Sequence, residues 1–183
     1  MNVIETAIPG VVIVEPKRFA DARGFLSELH HAERYAKAGI AGPFVQDNFS
    51  RSSHAVLRGL HLQCANPQGK LITVLSGRIL DVVVDVRRGS PSFGNHVAVE
   101  LSFDNGRQMF APRGFAHGFV VLSEQADVFY KCDDIYSPND QVILRWNDPA
   151  LGIDWLVKEP LLSERDLAGL ALADIAQLPL YAP

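Results

Sequence analysis

Residues 56–70 read VLRGLHLQCANPQGK. Arg58 and Lys70 bracket His61, which sits inside a short apolar run. A histidine in that position has two readings. It is either a core residue with both ring nitrogens satisfied, or a proton acceptor in a site whose cations hold an anion. Strict strand alternation puts Leu57, Gly59, His61 and Gln63 on one face and Arg58, Leu60 and Leu62 on the other. Gly59 can mark a bulge that brings Arg58 round to the histidine. His61 and Gln63 form a polar stripe, and that stripe lines a cavity if it faces the inside of a barrel.

Other stretches carry reactive types. In APRGFAHGFVVLS, His117 lies among Phe115, Phe119 and Val121. Two histidines on apolar strands raise the question of a metal, which usually takes three or four His, Cys or carboxylate ligands. The position two residues after His61 is Gln63, no carboxylate follows before Lys70, and lysine is a poor neighbour for a divalent cation. The expectation is therefore no metal. DVFYKCDDIYSP places Tyr130 beside Cys132. A tyrosine there serves either as core with a bonded hydroxyl or as a proton donor over a substrate. RFADARGFLSE, residues 18–28, reads as a solvated loop turning at Arg23-Gly24. FVQDNFSRS offers Gln46, Asp47 and Asn48, suited to reading the amide edge of a base and equally to a turn. Ser163 and Asp166 have capping-box spacing.

The elements that must position these residues are mostly short strands with turn punctuation. VVIVEP is an early strand. HHAERYAKAG is a short helix, with Glu33 and Lys37 at i,i+4 and Gly39 as its stop. KLITVLSG ends in a Ser-Gly turn. ILDVVVDVRRGSP puts Leu80, Val82, Val84 and Val86 on one face and Asp81, Val83, Asp85 and Arg87 on the other. HVAVELS alternates and leads to DNG, residues 104–106, a hairpin signal. QMFAP, HGFVVLS, DVFYKC and VILRW supply four more strands, and SERDLAGLALADIAQL predicts a helix from Ser163. The result is a single domain over residues 1–183, an antiparallel β core with an early helix and a C-terminal one.

Composition limits the function classes. With 183 residues, 48% apolar and 21% charged, the chain suits one globular domain. Its net charge of −4 argues against nucleic acid as a partner. No apolar run approaches the ~20 residues that span a membrane. MNVIETAIPG lacks the basic start and apolar stretch of a signal peptide, and two cysteines are too few for a disulfide framework. A reducing, cytoplasmic setting is expected.

Taken in order, RFADARGFLSE, FVQDNFSRS, VLRGLHLQ, PQGKL, DVVVDVRRGSPSFG, APRGFAHGF, FYKCDDIYSP, WNDPALGIDW and LSERD resemble the dTDP-4-dehydrorhamnose 3,5-epimerase family over nearly the whole chain. The resemblance implies a cupin-like antiparallel jelly-roll barrel, a homodimer, and an enzyme that needs no metal or organic cofactor. It implies a dTDP-sugar substrate with a ketone at carbon 4 of the hexose. Removal of the hydrogen at carbon 3 or 5 leaves an enolate, and reprotonation from the opposite face inverts the centre.

By matched motif, His61 corresponds to the base and Asp166 to the carboxylate that orients it, a role that competes with helix capping. Tyr130 corresponds to the acid on the far face and Lys70 to the cation at the keto oxygen. Arg58 corresponds to a diphosphate contact, and Gln46 and Asn48 to nucleotide contacts. Arg23 is expected to reach the diphosphate from the partner subunit, with Phe25 and Glu28 near the nucleotide across the same interface. His117 lies in GFAHGF near the site without a definite step. The chain departs from the family where Leu156, not proline, follows GIDW, on the approach to Asp166. The same resemblance admits a relative that inverts only one carbon, and a module that only binds the sugar nucleotide.

Overall fold

The computed structural model describes residues 1–40 and 42–182; Ala41 and Pro183, which fall within the expected domain span, lie outside the described residues. The chain runs β1 (Asn2–Glu5), β2 (Val12–Glu15), β3 (Arg18–Asp21), β4 (Gly24–Ser27), α1 (Ala32–Lys37), β5 (Gln46–Ser53), β6 (Leu57–Gln63), β7 (Lys70–Ser76) and β8 (Arg78–Asp85). It continues through β9 (His96–Ser102), β10 (Gln108–Ala111), β11 (Phe115–Val121), β12 (Gln125–Cys132), β13 (Gln141–Ile143) and α2 (Glu164–Leu167), followed by a 3-10 turn at Leu172–Asp174. Six strands form one sheet in the order β1-β2-β10-β7-β12-β5, and five form the other in the order β13-β6-β11-β8-β9. The pairs within both sheets are antiparallel. The fold is all-β, in keeping with the expected jelly-roll barrel.

Strand alternation decides what each sheet buries. In β8, Ile79 and Val83 face the space between the sheets, where they meet Ile72, Met109, Phe119 and Val128. Leu80, Val82 and Val84 point the other way, into a second cluster with Leu57, Trp155, Leu172 and Leu178. A strand with two buried faces reads as a near-continuous apolar run, and VVV at 82–84 is such a run. The early helix packs Tyr35 with Ile40, Val14, Leu71 and Phe110 on the outer face of the six-stranded sheet. After β8 the chain turns over Asp85, which is fully buried and accepts hydrogen bonds from Arg87, Ser90 and Ser92. Burial alone would raise its carboxyl, but those bonds outweigh it and lower the pKa to about 2.

Several expectations need correction. DNG makes a turn, not a hairpin: β9 pairs with β8, while β10 pairs with β2 and β7. Asn105 closes the turn locally, its side-chain oxygen accepting from the Ser102 and Arg107 amides. Burial then sends the flanking strands to opposite sheets, since Leu101 and Met109 both enter the interior cluster. RFADARGFLSE is not a loop. It forms the separate β3–β4 hairpin, with Asp21 opposite Gly24. FVQDNFSRS is not a turn either, and supplies edge strand β5.

The predicted C-terminal helix shortens to α2 and the 3-10 turn. Leu170 takes its backbone bonds from the sheet instead: its amide donates to the Ile143 carbonyl and its carbonyl accepts from the Arg145 amide. Leu172, Ile175 and Leu178 are buried against the five-stranded sheet, so tertiary burial overrides helix propensity. Among the described residues, no helix is long and apolar enough to cross a membrane.

Candidate active site

The site begins with a bulge in β6. His117 lies opposite His61 and Phe119 opposite Arg58, with a register shift between them. Gly59 and Leu60 together therefore face the single residue Gly118. Gly59 has φ +122°, and a Cβ there would sit 2.6 Å from the Gly118 Cα. A Cβ on Gly118 would sit 2.7 Å from the Arg58 carbonyl oxygen. Both positions require glycine because the two backbones touch. The extra residue breaks the alternation. Leu57, Leu60 and Leu62 enter the outer cluster, while Arg58, His61 and Gln63 line one cavity.

That cavity has a volume of about 430 Å³. Its walls come from β5 (Gln46, Asn48), β6, the start of β7 (Lys70) and β12 (Tyr130, Cys132), with Tyr136, Gln141, Arg165 and Asp166 completing it. His61 Nε2 lies 2.5 Å from Asp166 Oδ1. The other carboxylate oxygen of Asp166 accepts from the Ser163 hydroxyl at 2.8 Å, and that hydroxyl accepts from the Asp166 amide at 3.2 Å. Helix capping and histidine pairing therefore coexist, and the cap fixes the carboxylate. Burial alone would raise the Asp166 carboxyl, but hydrogen bonds from His61, Ser163 and the Gly59 amide hold it below the ordinary carboxylate range. The pair leaves His61 Nδ1 without a protein partner among the described residues.

Tyr130 packs against the interior cluster, and its hydroxyl has no hydrogen-bond partner among the described residues. Burial, reinforced by Cys132, raises its phenol above the ordinary value although Arg58 opposes this; it carries its proton at neutral pH. Burial also lowers the Lys70 ammonium, against the pull of Cys132 and Asp81. Lys70 forms no ion pair among the described residues. Among the described residues the Arg58 side chain donates only to the Ser52 hydroxyl, at 3.0 Å. Arg58, Lys70 and Arg165 thus line the cavity with no ion-paired carboxylate of their own among the described residues, an arrangement that attracts an anion. Gln46 and Asn48 share the inward face of β5, while Asp47 between them pairs with Lys131 at 2.7 Å.

The remaining candidates lie elsewhere. His117 is beneath the cavity wall, with its Nε2 2.8 Å from Asp81 Oδ1 and both side chains buried. Asp81 escaped the sequence reading, although an aspartate inside ILDVVVDV was a usable signal. Arg23 is 89% exposed and pairs with Asp21 at 2.6 Å. Phe25 packs against Phe103, with Arg18 over its ring, and Glu28 pairs with Arg34. None of these three lines this chain's cavity. Tyr136, Gln141 and Arg165 were not anticipated, since they sit in segments without strand or helix periodicity or at their ends. Among the described residues, no group of three or more His, Cys, Asp or Glu side chains is placed to hold a metal ion.

A family model described as dTDP-4-dehydrorhamnose 3,5-epimerase matches residues 5–174. The chain belongs to the dTDP-4-dehydrorhamnose 3,5-epimerase family. A dTDP-4-dehydrorhamnose 3,5-epimerase from Pseudomonas aeruginosa is 49% identical over 181 residues, covering 98% of this chain and 100% of the relative. The crystal structure of a dTDP-6-deoxy-D-glucose-3,5-epimerase from Legionella pneumophila, in complex with dTDP-4-keto-L-rhamnose, is 49% identical with a TM-score of 0.97, covering 100% of this chain and 99% of that one. Family likeness also reaches a 3'-monoepimerase from Streptomyces bikiniensis in complex with dTDP-quinovose. It is 35% identical with a TM-score of 0.91, covering 96% of this chain and 92% of that one.

Proposed function

We propose that this chain is a single-domain, cofactor-independent 3,5-epimerase of dTDP-4-dehydro-6-deoxyglucose, giving dTDP-4-dehydro-L-rhamnose. The observation that carries the reading is the His61–Asp166 pair sharing one cavity with Tyr130 and Lys70. His61, through the ring nitrogen not bonded to Asp166, takes the proton from carbon 5 or carbon 3. Asp166 stabilises the imidazolium that forms. The electron pair of the broken C–H bond moves onto the keto oxygen, where Lys70 stabilises the enolate. Tyr130 returns a proton from the other ring face and the centre inverts. Arg58 holds the diphosphate, with Gln46 and Asn48 at the nucleotide. His117 supports the site from below through Asp81.

Turnover in heavy water tests this reading. Solvent deuterium is expected at both carbon 3 and carbon 5 of the product. Incorporation at one carbon alone assigns single epimerisation, the activity in the name of the Streptomyces bikiniensis relative. Incorporation at neither makes the chain a binding module.

The working unit in this proposal is a cytoplasmic homodimer with shared sites. Phe19, Phe25 and Leu26 are exposed on the β3–β4 hairpin, Leu26 at 73%, and Arg23 at its turn reaches nothing in its own cavity. The partner subunit covers this hairpin and receives Arg23, Phe25 and Glu28 at its nucleotide end. Arg23→Ala and His61→Ala dimers are each expected to be inactive. Random subunit exchange makes half of the dimers mixed, each with one complete site, so about a quarter of wild-type activity should return. Folded mutants that regain nothing on mixing would sink the shared site.

A further inference from the structure

The position two residues after His61 is occupied by Gln63, which is 4% exposed and has no step in the proton transfers. Its amide is fully engaged. The side-chain oxygen accepts from the Ser137 amide at 2.8 Å. The side-chain nitrogen donates to the Asn66 carbonyl at 2.8 Å and toward the Ile135 carbonyl at 3.4 Å. Two loops are thereby tied to β6: residues 64–69 and residues 133–140. Two further glutamines hold the second loop. Gln68 donates to the Asp134 carbonyl at 2.7 Å, and Gln46 accepts from the Tyr136 amide at 2.8 Å. Asp140 locks the two loops together, accepting from the amides of Cys64, Ala65 and Asn66.

What this loop does follows from the sheet order. β5 and β13 are the edge strands of their sheets on the same side of the sandwich. Tyr136 spans the opening between them: its amide is held by Gln46 at β5, and its hydroxyl donates to Gln141 on β13 at 3.1 Å. The Tyr136 side chain is thus a wall of the cavity, held by a loop with no regular structure of its own. Backbone groups in such a loop find their partners in side chains or water. Here glutamine amides supply them.

We propose that Gln63 is a positioning residue: it fixes the 133–140 loop and with it the Tyr136 wall, and so sets affinity for the nucleotide part of the substrate. The inference rests on the epimerase reading for the identity of that ligand. His61, Lys70, Tyr130 and Asp166 stand on strands and a helix that Gln63 does not hold through these loops. Loosening the loop should therefore weaken binding more than it slows proton transfer.

The test compares wild type with Gln63→Met, which keeps the length of the side chain and removes its polar atoms. Gln63→Glu, which keeps the acceptor for Ser137 and loses both donated bonds, carries the test if the methionine variant does not fold. The first readout is amide hydrogen exchange, which needs no substrate. The Tyr136 and Ser137 amides should exchange at least about tenfold faster in the variant, with those of β12 unchanged. The second is calorimetric titration with dTDP, whose Kd should rise about tenfold, while KM for the dTDP-sugar rises by more than kcat falls. Unchanged exchange at Ser137 overturns the clamp. Faster exchange with an unchanged Kd overturns its role in binding. A wild type that binds dTDP but turns over no sugar defeats the epimerase reading, and the exchange and dTDP titrations still decide the clamp.

Discussion

His61→Ala is expected to abolish deuterium incorporation at both carbon 3 and carbon 5 and to lower turnover by at least 10²–10⁴-fold, the range for a general acid–base group. One base serves both centres because, among the described residues, the cavity is lined by one histidine, paired with a carboxylate 2.5 Å away. Loss of the imidazole leaves Asp166 with its bond from the Ser163 hydroxyl. That carboxylate does not replace the base: it is buried, held by the Ser163 hydroxyl, and lies on the far side of the missing ring. The β6 bulge depends on Gly59 and Gly118, not on the imidazole, so the variant should fold, as a cooperative thermal transition would show. Rapid exchange of both hydrogens by folded His61→Ala would place the base elsewhere and return His61 to a structural role.

Tyr130→Phe should separate abstraction from inversion. The ring stays, so packing against the interior cluster is kept, and only the proton donor goes. His61 can still remove a proton, exchange it with solvent and return deuterium to the same face. Substrate hydrogens should then wash out into heavy water while inverted product falls by roughly 10²–10⁴-fold. The phenol suits this role because its raised pKa keeps the proton in place until the enolate accepts it. Proton NMR of substrate and product follows both processes in one tube. Inversion at the wild-type rate would remove Tyr130 from the mechanism. Loss of exchange together with inversion would instead mean that the phenol is needed before abstraction, for substrate placement.

Much of the fold was legible because strand alternation is local. The β8 pattern separated Leu80, Val82 and Val84 from Asp81 and Val83, and those are the two buried faces found. The possible bulge at Gly59 was legible for a similar reason, since a glycine interrupting an apolar strand has few other uses. Its depth was not. Only the contact with Gly118 explains why Arg58 turns into the cavity. The hairpin at residues 18–28 was hidden because its apolar side chains are exposed in the chain, and a solvent-facing strand carries no inside-outside contrast.

By itself the sequence determined the reactive types, the strand-rich class and the family, because each of these lies in neighbouring residues or in the order of short motifs. The tertiary structure alone decided which residues meet. His61 and Asp166 are 105 residues apart, and Gln63 and Ser137 are 74 apart. Their contacts follow from strand pairing and from the way the C-terminal segment crosses the five-stranded sheet. That same crossing unmade the helix expected there. Backbone bonds from Leu170 to the end of β13, together with burial of Leu172, Ile175 and Leu178, outweighed a local helical preference worth only tenths of a kcal/mol per residue, on the order of 0.1–0.7. Asp166 consequently sits in a single short turn that presents its carboxylate to His61, a placement that local periodicity could not specify.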